Sequence, residues 1–256
     1  MKKTYPILEF DENRSSILNP DPYRFNGKPP MASIGVLCFF QDVIKSLVEK
    51  GELKEFGALR SEMGAHPVYR YEEGGRPVTV FHPGVGAPLA AAFLDELIAV
   101  GVTKYIVCGG CGSLDHQLDT GYPIILKAAV RDEGASYHYL PPAREVKAHP
   151  RAIEALEKAF TEAGIDYRLG KTWTTDGIYR ETSGKRQIRI AEGCDVVEME
   201  AAAFFAVAQF REIILGQVVY AGDLVIPEGW QGREWLDRKE VRRLLFDLSV
   251  KAVRLL

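Results

Sequence analysis

Lys104-Tyr105-Ile106-Val107-Cys108-Gly109-Gly110-Cys111-Gly112 decides the fold class. Its first half is a short apolar, β-branched run, and its second half is three glycines around a cysteine. A continuous apolar run of this length reads as a strand buried on both faces, because a half-exposed strand would alternate with polar residues. The glycines that follow read as a loop, since they permit close backbone approach and expose N–H groups. Upstream, Ala87 to Val100 repeats apolar residues at helical spacing (Leu89, Ala92, Phe93, Leu97) and stops at Gly101. Further out, Ser33 to Leu37, Val68 to Tyr71, Val78 to His82, Tyr122 to Val130, Tyr167 to Thr174 and Ile213 to Ala221 read as strands. Gln41 to Lys50, Arg151 to Ala163, a segment from about 197 to 210, and Trp235 to Leu256 read as helices. Strands and helices alternate. The expectation is an α/β fold: one domain over 1–256, with a mixed, mostly parallel central sheet covered by helices on both faces. Residues 1–32 read as irregular, because Pro6, Pro20, Pro22, Pro29 and Pro30 forbid long helices.

Composition narrows the classes. Of 256 residues, 46% are apolar and 26% charged, with a formal net charge of −3; that gives no basic field for nucleic acid. No run of about 18 apolar residues suits a membrane span. The N-terminus lacks the apolar core of a signal peptide, so a cytoplasmic location is expected. Cys38, Cys108, Cys111 and Cys194 are expected as free thiols. Cys108 and Cys111 match C-x-x-C, but Cys38 and Cys194 are isolated and supply no second ligand pair, so neither a metal nor redox chemistry is expected.

Two carboxylates stand in a greasy stretch, Val197-Glu198-Met199-Glu200-Ala201-Ala202-Ala203-Phe204-Phe205-Ala206. A charge on an apolar helix is costly to desolvate unless something hydrogen-bonds it. A carboxylate accepts through both oxygens and suits the 2′,3′-diol of a ribose. The alternative is a buried Glu paired to Arg or Lys for structure, and the stretch alone leaves both open. Asp223, behind Gly222 at a strand end, has two readings as well. It is a carboxylic acid donating to a leaving-group nitrogen, or an Asp tightening a turn before Pro227. In open α/β sheets ligands bind beyond the carboxyl ends of strands. The loop at 83–87, the glycine run at 109–115 and Gly222-Asp223 all arrive there. Gly84-Val85-Gly86-Ala87-Pro88-Leu89 is a relaxed dinucleotide fingerprint, but the acidic residue expected about 20 positions on is absent.

Five segments in order resemble a known family. Gly84-Val85-Gly86-Ala87-Pro88 resembles a Gly-Ile-Gly-Gly-Pro loop, and Gly109-Gly110-Cys111-Gly112 a Gly-Thr-Cys/Thr-Gly loop. Val130-Arg131-Asp132-Glu133-Gly134-Ala135-Ser136-Tyr137-His138, Thr175-Asp176-Gly177-Ile178-Tyr179 and Glu198-Met199-Glu200 resemble three further motifs. Over about residues 33–225 the chain is similar to the nucleoside phosphorylase superfamily of uridine phosphorylases, bacterial purine nucleoside phosphorylases and adenosylhomocysteine-type nucleosidases. The resemblance implies that Glu200 holds the ribose hydroxyls with Met199 against the sugar and Glu198 beside them. It implies that Gly86, Gly109, Gly110, Cys111 and Gly112 line the substrate, that Ile178 and Tyr179 flank the base, and that Asp223 assists a leaving purine. It also implies a homo-oligomer, dimer or hexamer, with Lys54 reaching a neighbour's phosphate site.

Departures accompany the resemblance. The family's Gly-Asp-Pro-x-Arg loop is replaced by Val36-Leu37-Cys38-Phe39-Phe40-Gln41-Asp42. Val107 stands where an Arg is usual, Gly110 where a Thr is usual, and the uracil clamp is not recognisable in Arg180 to Gly184. The expected activity is phosphorolysis of a nucleoside to free base and ribose 1-phosphate, with Glu200 and Asp223 catalytic, phosphate as co-substrate, and no metal or organic cofactor. Water as nucleophile is the first alternative, and a non-catalytic nucleoside-binding protein the second.

Overall fold

The computed structural model describes residues 2–28 and 30–256. The strands in chain order are β1 (Ile34–Cys38), β2 (Leu53–Ser61), β3 (Gly64–Tyr71), β4 (Val78–Phe81), β5 (Lys104–Ser113), β6 (Pro123–Asp132), β7 (Glu145–Lys147), β8 (Arg168–Thr175), β9 (Val196–Glu198), β10 (Ile214–Ile226) and β11 (Gly229–Gln231). The helices are α1 (Gln41–Glu49), α2 (Ala87–Ala99), α3 (Pro150–Ala163), α4 (Ser183–Ala191), α5 (Ala201–Arg211) and α6 (Lys239–Arg254). The strands join in one mixed sheet of order β11-β10-β6-β8-β9-β5-β1-β4-β3-β2, with β7 on β6. β1 runs parallel to both β4 and β5. β10 is parallel to β5 and antiparallel to β6. Because β5 pairs with β10 along most of its length and with β9 at Gly112–Ser113, the β10-β6-β8-β9-β5 circuit closes on itself. Trp173, Val130, Leu114, Cys194 and Val197 form a small separate core.

Helices cover both faces. One core joins the sheet to α2 and α5, which supply Phe93, Leu94, Phe204 and Phe205; the other joins it to α1, α3 and α6 through Leu47, Phe160 and Phe246. α3 begins on Pro150, whose fixed φ suits a first helical turn, and ends on Gly164 in the left-handed conformation.

Four differences from the sequence reading matter. The glycine run 109–112 is not a loop: β5 continues through it, held by β10 on one side and by β9 at its end. That pairing overrides the poor strand preference of glycine. The segment from 197 is not helical at its start. Val196–Glu198 is strand β9, and Glu200 is the residue that caps α5. Gly222-Asp223 does not end a strand either. β10 runs on to Ile226 with an irregularity between Ala221 and Leu224. Finally, β2, β7, β11 and α4 escaped the apolar pattern, being short or largely exposed. Cys108 and Cys111, three residues apart on one strand, fall in opposite cores, which is why they do not meet.

Candidate active site

The ends of β5, β9 and β10 surround a cavity of about 930 Å³, lined by Phe39, Gly110, Cys111, Gly112, Glu198, Met199, Glu200, Gln217 and Asp223 among others. Two glycines are required by close approach. A Cβ on Gly109 would stand 3.1 Å from the Phe39 ring, and one on Gly112 would stand 3.0 Å from Val197 and 3.4 Å from the Asp223 carboxylate. The backbone of β5 is therefore bare where the cavity floor and the Asp223 side chain meet it.

Glu198 and Glu200 divide the work. Glu198 Oε2 accepts the backbone N–H groups of Glu200 (2.7 Å) and Ala201 (2.6 Å), and its Oε1 accepts the hydroxyls of Thr174 (2.6 Å) and Thr172 (3.2 Å). Both oxygens serve the protein, and the carboxylate closes the orphan donors at the start of α5. Glu200 is 6% exposed, and its Oε1 accepts the Gly86 N–H at 2.5 Å. Gly86 has φ +95°, the left-handed side that favours glycine, and turns the chain so that its N–H faces across to α5. Burial, then the charge of Glu198, pushes the Glu200 carboxyl up to about 8. Such a group gains from hydrogen-bond donors that stabilise its charged form.

At the β10 side, the Trp230 indole N–H donates to Asp223 Oδ2 at 2.6 Å. Glu181 lines the same cavity, and burial followed by the charge of Asp223 pushes its carboxyl up to about 7. Glu181 is thus a carboxyl able to hold a proton near neutral pH in the same cavity as Asp223. Burial pushes the Cys111 thiol well up, and the charges of Glu198 and Asp223 add to it, so it is no nucleophile. The lining cation Arg242 is ion-paired to Asp42 at 3.0 Å and donates from Nε to the Tyr220 hydroxyl at 3.1 Å.

A model of the family described as the phosphorylase superfamily matches residues 33–242. The chain belongs to the phosphorylase superfamily. It is 35% identical to the uridine phosphorylase of Thermococcus kodakarensis over 121 residues, 46% of this chain and 44% of that one. It is 27% identical to the guanosine phosphorylase of Halorubrum lacusprofundi over 144 residues, covering 56% and 60%. It is 28% identical to the uridine phosphorylase of Treponema pallidum over 193 residues, covering 70% and 73%. The matched stretches span less than two thirds of the first two relatives. Among solved structures, the purine nucleoside phosphorylase of Toxoplasma gondii in complex with immucillin-H superposes with TM-score 0.77 at 22% identity, over 93% of this chain and 96% of that one. The AMP nucleosidase of Bacteroides thetaiotaomicron superposes with TM-score 0.68 at 22% identity, over 88% of each. At that identity the two structures carry the fold alone.

Within this superfamily fold, Gly110, Cys111, Gly112, Met199, Glu200 and Asp223 meet at one cavity, and Ile178 and Tyr179 stand at its rim, 55% and 94% exposed. Glu198 borders the cavity with its oxygens already engaged. Gly86 acts through its N–H on Glu200, and Gly109 lies under Phe39. Lys54, on β2, is paired to Glu72 at 3.6 Å and stands outside this chain's cavity. The sequence reading missed Glu181, Gln217 and Arg242. Gln217 had a signal, being a polar residue inside the apolar run Ile213 to Ala221. The other two come together only through tertiary packing. Among the described residues no helix is long and apolar enough to cross a membrane.

Proposed function

We propose that the cavity cleaves the N-glycosidic bond of a nucleoside. What carries the reading is the sharing of one cavity by a buried carboxyl tied to a helix-capping N–H, Glu200, and two further carboxyls, Asp223 and Glu181. In this reading Glu200 accepts the 2′- and 3′-hydroxyls and fixes the sugar beside Met199. Cleavage builds oxocarbenium character on the ribose and negative charge on the base. Glu181, in the cavity it shares with Asp223, supplies the proton that makes the base a better leaving group. Neither a metal nor an organic cofactor enters this chemistry. Ile178 and Tyr179 flank the base, and a purine is the expected base because a carboxyl faces it.

The relatives' names put phosphate forward as co-substrate, with ribose 1-phosphate as product and Lys54 arriving from a neighbouring copy in a homo-oligomer. The charge of the cavity favours a second reading, hydrolysis. The test is a panel of guanosine, inosine, adenosine and uridine, with and without phosphate, products separated by chromatography. Cleavage of at least one nucleoside, lost in Glu200→Ala, supports the reading. Binding without cleavage of any of them would make this a nucleoside-binding protein instead.

A further inference from the structure

Gln217 lies inside β10, level with Val107 on β5 and Leu126 on β6. Its neighbours in alternation, Leu215 and Val219, pack in the core shared with α5, so its side chain leaves the sheet on that face. It is 2% exposed and borders the cavity one strand step deeper than Val219, which is level with Gly109. Its amide oxygen is buried and has no hydrogen-bond partner among the described residues. A buried amide oxygen left without a donor is costly, so the position is expensive unless a molecule with a donor fills it.

The rest of the lining says which molecule. Its carboxyls are Glu181, Glu198, Glu200 and Asp223; among the described residues its one cation is Arg242, which is already matched by Asp42. Two of the carboxyls hold their protons toward neutral pH, through burial first and a neighbouring carboxylate's charge second. Phosphate would add up to two further negative charges to that set. Water adds none, donates to an amide oxygen and accepts from an amide N–H.

We propose that Gln217 is a positioning residue that holds the nucleophilic water at the deep end of the cavity, so that the nucleoside is hydrolysed. The proposal rests on the reading of the cavity as a glycosidic-bond-cleaving site. The water oxygen bonds to C1′ as the C1′–N bond breaks. The bonding pair goes to the base, which takes the proton held on Glu181 in the cavity it shares with Asp223. The water's surplus proton passes to solvent, from which Glu181 is recharged. Nothing is oxidised or reduced, and the amide neither gives nor takes a proton; it aims a lone pair.

The experiment runs the full-length protein with its best nucleoside in heavy-oxygen water, with phosphate absent and present, and with methanol added as a competing nucleophile. The expected product is labelled free ribose at a rate indifferent to phosphate. Gln217→Met keeps the volume without the hydrogen bonds. It should lower kcat about 10- to 100-fold with KM little changed, and raise the share of methyl riboside over ribose. A purely structural role would not move that share. Ribose 1-phosphate as the product leaves the reading of the cavity intact and overturns the water site. An unchanged kcat and methanol share in a folded Gln217→Met overturns it too. Should that variant fail to fold, Gln217→Asn, which keeps the amide but draws it back by one methylene, should raise the same methyl riboside share, and an unchanged share overturns the water site. No cleavage of any nucleoside overturns the reading of the cavity and this proposal with it.

Discussion

Glu200→Gln should make the protein more stable and less active at once. The fold holds the Glu200 carboxyl up to about 8 against an ordinary value of 4.5, burial being the first cause and the Glu198 charge the second. A raised value in the folded state means that the fold keeps a proton the unfolded chain gives up. The stability tied to this group is therefore full below the ordinary value, declines as pH rises, and levels off above about 8. At pH 7 the gap from the ordinary value is about 2.5 pH units, each worth about 1.36 kcal/mol, so keeping the proton costs on the order of 3 kcal/mol. Glutamine has no proton to lose and keeps an oxygen for the Gly86 N–H. The gain in unfolding free energy should therefore be on the order of 3 kcal/mol at pH 7, under about 1 kcal/mol at pH 5, and larger again at pH 8. Urea titrations at the three pH values measure it. The same change removes one acceptor from the sugar diol and should lower kcat/KM by about 1.5–3 kcal/mol, roughly 10- to 150-fold. A stability difference that is flat from pH 5 to pH 8 would refute the electrostatic account of this carboxyl. A wild-type kcat/KM would falsify its role on the ribose.

Glu198→Ala should do the opposite, losing at least about 3 kcal/mol of stability because two backbone N–H groups and two threonine hydroxyls lose their acceptor; thermal unfolding reads this, and a neutral result would deny that Glu198 builds the start of α5. The pH profile of kcat/KM should be a narrow bell with limbs near 7 and 8, since Glu200 must be ionised to accept both hydroxyls while Glu181 must hold its proton. Glu181→Gln should lower the rate and remove the fall at high pH, and a surviving alkaline limb would rule Glu181 out. Asp223→Asn should cost on the order of 100-fold on purine nucleosides; full activity would return Asp223 to a turn residue. Sedimentation at micromolar concentration should find a dimer or larger, and a fully active monomer would remove any need for Lys54 of a neighbouring copy.

The alternation of strands and helices was legible because the central strands are apolar on both faces and glycines stop the helices. Gly51, Gly101 and Gly164 all follow helix ends. The missed elements lack those signals. β2 carries Lys54, Glu55 and Arg60 on an edge, with Gly57 inside it, and α4 is largely polar, with Arg189 the buried residue it contributes. Glu200 and Asp223 stood out in the sequence as carboxylates in apolar surroundings, each with a structural reading still open, the glycines of β5 as a bare stretch of backbone at a strand end, and Met199 through the resemblance alone. Glu181 and Arg242 break no local pattern. Their membership comes from where the turn before α4 and the helix α6 pack, which is information that no window of sequence contains.

The two glutamates explain why the site was easier to locate than to describe. Read as a helix, Glu198 and Glu200 are two similar carboxylates about 200° apart, competing for one role. In the structure the β-branched pair Val196-Val197 extends the chain as a strand against β5 and β8, and the helix starts after Glu200. The change of backbone between them separates their chemistry. Glu198, at the strand end, turns back to take the N–H groups that the new helix exposes and the hydroxyls of β8, and is used up by the fold. Glu200, one step later, is carried across to the N–H of Gly86 with an oxygen to spare. Its proton is then held first by burial and second by the charge of the glutamate that put it there. In the proposed reading, a diol that donates two hydroxyls to Glu200 stabilises the charged form that burial and Glu198 disfavour in the free protein, so the site favours a ligand with two adjacent donors over one with none.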